Sequence, residues 1–145
     1  MRLSFAILLL AMAFFSACRP GTTENVNTRP GIDMTDFFNF YQSFHMDSAY
    51  QMDHIIFPLQ GLPADADSLT IAQNNFTWEQ ETWRLHYPID FETSDFTRQI
   101  TPLSDDIVVE LIVHRSGQAG MMRRFAKMGD DWYLIYFADM NRIKQ

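Results

Sequence analysis

The sequence predicts an α+β domain in which helices come first and an antiparallel sheet follows. Met34, Phe37, Phe38, Tyr41, Phe44 and His45 fall on one side of a helix at 3.6-residue spacing. Farther on, residues 107–115, 121–128 and 132–139 are rich in β-branched and aromatic side chains, and the short turn sequences SGQAG and GDD separate them. The chain has 145 residues, enough for one domain with its own core.

The elements follow in order. Met1-Arg2 supplies one positive charge, and the chain then runs apolar from Leu3 to Phe15. That run is shorter than the roughly 20 residues needed to cross a bilayer. A charged start, a short apolar stretch and small residues at its exit read as a secretory signal over residues 1–17. Ser16-Ala17-Cys18 resembles the lipobox of bacterial lipoproteins, with Phe15 where Leu is commoner. The resemblance implies cleavage before Cys18, a diacylglycerol thioether on its sulfur and acylation of the new amine. The bland alternative is an ordinary signal peptide and an incidental cysteine, which would leave the chain's one thiol free in an oxidising compartment. Acyl chains that each gain about 0.8 kcal/mol per buried CH₂ would hold Cys18 at the membrane. Arg19 follows the cysteine where an Asp would retain the protein at the inner membrane, and no dense acidic run comes after it. The expected address is the cell envelope, on the periplasmic side of the outer membrane. Polar, Pro-Gly-containing residues 18–32 are expected to be a flexible tether, and residues 33–145 a single domain.

Asp33 is expected to cap the first helix. Residues 47–54 either continue it or begin a second short one. Residues 54–63 are apolar and hold Pro58 and Pro63, so they read as an edge strand. A turn follows at 64–68, and 69–74 is ambiguous with strand open. Thr77-Trp78-Glu79-Gln80 matches a capping box and predicts a short helix over 78–85. A strand within 96–103 and the three β-rich runs then make a meander. Strand 132–137 is apolar on both faces, so its second face needs a cover: a terminus, a helix or another subunit.

The Phe-rich helix, the stretch "QMDHIIFPLQG", a Trp-containing segment and the closing "DDWYLIYF" together resemble the DUF4348 family of Bacteroidetes lipoproteins. The likeness covers most of residues 33–140. It implies an NTF2-like fold, a cone of helices on a strongly bent sheet with a pocket at the open end. It implies no activity.

Net charge is −7, and the densest basic cluster is Arg123-Arg124 with Lys127 on an expected strand, so nucleic acid is an unsuitable partner. His45, His54, His86 and His114 show no metal-binding spacing, and neither a metal nor a cofactor is expected. His45 lies on the apolar helix face, where a satisfied packing histidine is the commoner reading and a pocket polar group the functional one. Glu110 could serve as a base, but pairing with Arg123 or Arg124 across the hairpin is its structural role. Tyr41, Asp53, His86 and Tyr136 could take acid–base parts of the kind seen in ketosteroid isomerase or scytalone dehydratase, on fold analogy alone. Aromatics make up 14% of the chain. Trp78, Trp83 and Tyr87 crowd one short segment and cannot all point inward, which leaves an aromatic rim or a dimer face. The expected ligand pocket comprises Tyr41, His45, Trp78, Trp83 and Tyr136. Asp47-Ser48-Ala49 and Asp67-Ser68-Leu69 resemble the O-glycosylation sequon of exported Bacteroidetes proteins, with Ser68 the better candidate and Ser48 the second.

The sequence therefore reads as a lipid-anchored envelope protein that binds a small ligand or a protein partner without catalysis. The alternatives are a small isomerase- or dehydratase-like enzyme using the same pocket, and a structural envelope-complex subunit. A homodimer through the sheet face is a further expected contact.

Overall fold

The computed structural model describes residues 25–26 and 32–143. The Asp33 carboxylate accepts the Thr35 backbone N–H at 2.9 Å, and α1 (Thr35–Met46) begins there with Met34 at its N-cap. Its buried face is Phe37, Phe40, Phe44 and His45. Phe40 turns inward, while Phe38 and Tyr41 stay half-buried at the margins. Asp47 is extended and ends α1. Its carboxylate accepts the N–H groups of Ala49 and Tyr50, which starts α2 (Ser48–Asp53). One residue thus breaks the first helix and caps the second.

The sheet has seven strands: β1 (Asn25–Val26), β2 (Ile55–Leu62), β3 (Thr77–Trp78), β4 (Phe96–Ser104), β5 (Ile107–His114), β6 (Ala119–Met128) and β7 (Asp131–Arg142). Their spatial order is β1-β4-β5-β6-β7-β2-β3. Strands β4 to β7 form the expected antiparallel meander. The sheet as a whole is mixed, because β1 runs parallel to β4 and β2 parallel to β7. Strand β2 is not the edge strand expected from its prolines. It lies between β7 and β3, and β3 takes the edge with two residues. Asn25 and Val26, within the segment expected to be a tether, pair with Gln99 and Ile100.

Two other local expectations are corrected. Residues 68–73 are helix, α3 (Ser68–Gln73), with the Asp67 carboxylate accepting the Thr70 N–H. The capping-box match at Thr77 starts no α-helix. The backbone of Thr77 and Trp78 is spent on pairing with Gln60 and Leu59, and the Thr77 hydroxyl donates to the Glu79 carboxylate at 2.9 Å. Only a 3₁₀ turn, Gln80–Thr82, follows before the chain extends over 83–90.

Helix α1 lies on one face of the sheet, and the core between them is largely aromatic. Phe37 meets Phe125 and Trp132 edge-on at ring separations of 5.5 and 5.1 Å. Phe40 and Phe44 close on Phe125 from the other side. In β7, Phe125 faces Leu134 while Arg124 faces Tyr136, so Ile135 is an extra residue in the ladder. The bulge changes which side chains face inward: Trp132 and Leu134 before it, Phe137 after it. Tyr136 is thereby turned to the opposite face.

Candidate functional site: an aromatic cleft over a buried polar cluster

Strand periodicity delivers Glu110 and Arg123 to the core face. Glu110 alternates with Val108 and Ile112 on β5, and Arg123 with Phe125 on β6. The two are direct cross-strand partners. Glu110 is 0% exposed and Arg123 3%, and Arg123 Nη1 donates to Glu110 Oε2 at 3.1 Å. The second carboxylate oxygen accepts the Tyr41 hydroxyl at 2.5 Å. Helix α1 contributes both Tyr41 and, one turn on, His45. Arg123 Nη1 lies 2.7 Å from His45 Nε2. Arginine only donates, so Nε2 is the acceptor and the ring proton sits on Nδ1. Nδ1 is 2.9 Å from the Tyr41 carbonyl oxygen, which receives it. His45 is therefore neutral, and burial together with the Arg123 charge pushes its pKa down to about 4. Burial and the Glu110 charge push the Tyr41 hydroxyl far above its ordinary value. Tyr41, Glu110, Arg123 and His45 form one closed, charge-assisted network that ties α1 to the centre of the sheet.

A second staple ties α2 to the segment after the 3₁₀ turn. Gln51 is buried in α2, and its amide nitrogen donates to the carbonyls of Phe44 and His86, each at 2.7 Å. Its amide oxygen accepts the His86 N–H at 2.7 Å and lies 3.4 Å from the Trp83 indole nitrogen. An irregular segment is thus held by side-chain bonds in place of a ladder. The indole N–H of Trp78 donates to the Phe137 carbonyl at 2.9 Å. Gly61 permits this closeness: a Cβ there would stand 1.8 Å from the Phe137 carbonyl oxygen and 2.7 Å from the Trp78 indole nitrogen. Trp78, Trp83, His86 and Phe137 then pack ring to ring.

These rings line a half-open cleft of about 760 Å³, within the range of small-molecule sites. Met121, Arg123 and Phe137 from the sheet and Trp78 from its edge strand border it, and Trp83 and His86 come from the segment that follows. Burial and the nearby Arg123 charge hold the His86 pKa far down, so this ring is neutral too. Ile89 also borders a smaller cavity of about 290 Å³, together with Tyr41, His45, Phe91 and Arg98.

The structure therefore divides the pocket residues expected from sequence. Trp78 and Trp83 line the large cleft, and Tyr41 and His45 line the small cavity. Tyr136 joins neither: it lies on the opposite face of the sheet, with the Arg124 guanidinium 5.3 Å over its ring. The Ile135 bulge puts it there. Glu110 pairs with Arg123, the cross-strand role expected for it. Asp53, at the end of α2, is exposed and borders neither cavity. Ser48 and Ser68 are both exposed first residues of short helices, each preceded by the capping aspartate. Cys18 lies outside the described residues. Gln51 is the site residue the sequence reading missed, and Arg123 is read there as a cross-strand partner of Glu110 and not as a cleft residue. The available signal for Arg123 was its place two residues before Phe125 on an inward-facing register.

No protein-family model matches the chain, and no curated protein matches it. Solved structures do. A cystatin-like protein from Bacteroides caccae is 20% identical over 70% of this chain and 74% of that one, with a TM-score of 0.49. An NTF2-like protein from Bacteroides fragilis is 17% identical over 77% of this chain, with a TM-score of 0.51. The fold is NTF2-like. This chain matches 49% of the Bacteroides fragilis protein's length, so the likeness concerns one part of that molecule and its fold alone. Among the described residues no helix is long and apolar enough to cross a membrane.

Proposed function

We propose that this is a lipid-anchored cell-envelope protein whose NTF2-like domain binds a small, partly apolar ligand in the aromatic cleft without transforming it. The observation that carries the reading is the state of the two tryptophans. Both indole N–H groups are turned inward to protein acceptors, so the rings are fixed while they border an open cleft. Rigid aromatic walls of this kind bind ligand with little loss of side-chain entropy.

The state of Glu110, the base considered from the sequence, supports the non-catalytic side. Glu110 is fully buried, does not border the cleft, and has both oxygens committed to Tyr41 and Arg123. A general base must reach the proton it takes. The enzyme alternative would have to draw on Glu79, Asp139 or His86 at the cleft, or on Tyr41 and His45 at the wall of the smaller cavity. Lipid anchoring rests on Ser16-Ala17-Cys18, and the DUF4348 likeness on the motifs quoted above.

Two measurements test this reading. Native mass spectrometry of protein purified from its own host is expected to show a bound small molecule that Trp83→Ala loses. Mass spectrometry of the N-terminus is expected to show a lipidated Cys18, and Cys18→Ser is expected to move the protein from the membrane to the soluble fraction. A protein with no adduct and unchanged fractionation of Cys18→Ser would overturn both halves.

A further inference from the structure

The polar floor of the cleft indicates which chemical head its ligand carries, an inference that rests on the cleft being a ligand site. Among the described residues Arg123 makes both its hydrogen bonds through Nη1, to Glu110 Oε2 and His45 Nε2. Its Nε is buried and has no partner there. The residue is 3% exposed, yet it borders the cleft. In a guanidinium the Nε–H and one Nη2–H point the same way and form a planar fork that matches the two oxygens of a carboxylate. Nη1 lies on the other side of Cζ from that fork, so the Glu110 and His45 bonds do not use it. His86 borders the same cleft, and its Nδ1 is also buried and unpartnered. Its ring is neutral, so the Nδ1–H tautomer can donate one further bond.

Among the described residues Ser94 Oγ, Arg124 Nε and Trp132 Nε1 are also buried without partners, but only His86 and Arg123 of this set border the cleft; two such groups on one lining call for an acceptor from outside the chain. The walls above the floor are Trp78, Trp83 and Phe137, suited to a flat apolar body. Two carboxylates, Glu79 and Asp139, border the cleft. They disfavour a ligand with several negative charges. We propose that the cleft takes a monocarboxylate with a flat apolar body, its carboxylate on the Arg123 Nε edge and His86 Nδ1, its body against Trp78 and Trp83.

The test is a matched pair of probes, 2-naphthoate and 2-naphthamide, which share the ring system and differ in the charge of the head. Both are titrated against the full chain in lipid nanodiscs, followed by tryptophan fluorescence with empty nanodiscs as the blank. The expected result is at least tenfold tighter binding of 2-naphthoate. Arg123→Lys keeps the charge and removes the fork, and is expected to cut that preference below threefold. Because Arg123 also holds the buried network, a second readout uses the unaltered protein. With ¹⁵N-labelled arginine, one buried Nε–H resonance is expected to shift with 2-naphthoate and not with 2-naphthamide. Equal affinity of the two probes, or no Nε–H shift, overturns the carboxylate while leaving cleft binding in place. Failure of both probes to bind at millimolar concentration overturns the carboxylate and the ligand-binding reading together.

Discussion

Replacing Glu110 by leucine probes the buried network most severely. Glu110 is 0% exposed and its partner Arg123 3%. The substitution leaves the guanidinium charge buried with only the neutral His45 Nε2 as acceptor, and it orphans the Tyr41 hydroxyl. Breaking a buried ion pair by removing one partner costs about 3–5 kcal/mol. A buried hydroxyl left without its acceptor adds roughly 1–3 kcal/mol. The added apolar burial of leucine offsets part of this, so the expected loss is about 4–6 kcal/mol. Whole domains have only about 5–15 kcal/mol to lose, so Glu110→Leu is expected to be near or past its folding threshold. Glu110→Gln keeps one acceptor oxygen for Arg123 and turns an NH₂ donor to the Tyr41 hydroxyl oxygen, which can accept it, and is expected to lose about half as much. The double variant Glu110→Leu with Arg123→Met removes both charges and is expected to regain most of the stability. Urea unfolding, followed by far-UV circular dichroism and tryptophan fluorescence, reads all three. A Glu110→Leu loss below about 1 kcal/mol, or a double variant no more stable than the single one, would refute the argument that desolvated charge governs this site.

Three more predictions follow from the same contacts. His45 titrates near 4 in the folded protein, against an ordinary histidine value of about 6.5. As pH falls below 6.5 the unfolded chain takes a proton that the folded one refuses, so stability falls from about pH 6.5 to about 4, by roughly 3 kcal/mol from this group. His45→Gln removes that share of the slope in acid-dependent urea midpoints, while His86 and the lowered carboxylates Asp33, Asp67 and Asp90 keep a part of it. Gln51→Ala strands buried backbone groups at Phe44 and His86, each costing about 1–3 kcal/mol. Hydrogen exchange at His86 N–H is expected to rise far more than in the sheet; unchanged protection there would contradict the staple. Gly61→Ala places a methyl 1.8 Å from the Phe137 carbonyl oxygen. It is expected to separate β2 from β7 and move Trp78, seen as a changed near-UV spectrum and a clear loss of thermal stability; native spectra would contradict it.

What was legible in the sequence is what local pattern records. Strands β4 to β7 announce themselves through alternation and tight turns, and α1 through a 3.6-residue apolar stripe. Parallel pairing of β2 with β7 has no local signature, because the partners lie far apart in the chain. Residues 69–74 are ambiguous in the sequence, with strand left open. The Asp67 cap decides for helix, and both Leu69, 64% exposed, and Ile71, 42%, are left on the surface. Thr77-Trp78-Glu79-Gln80 has the letters of a capping box, but edge pairing to Leu59 and Gln60 takes its backbone first. Glu110 and Arg123 were visible as cross-strand candidates. Tyr136 was misplaced because alternation alone cannot foresee the Ile135 bulge. The two Asp-Ser pairs read as sequons coincide with helix caps, a structural role that the same two residues satisfy.

The most direct test of ligand binding in the cleft is a crystal structure of the protein purified from its native host, inspected between Trp78, Trp83 and Arg123. The account predicts non-protein density lying against the two indoles, with a planar head on the Nε edge of Arg123. A cleft filled by side chains of a second copy, or holding ordered water alone on Arg123 Nε and His86 Nδ1, would contradict it.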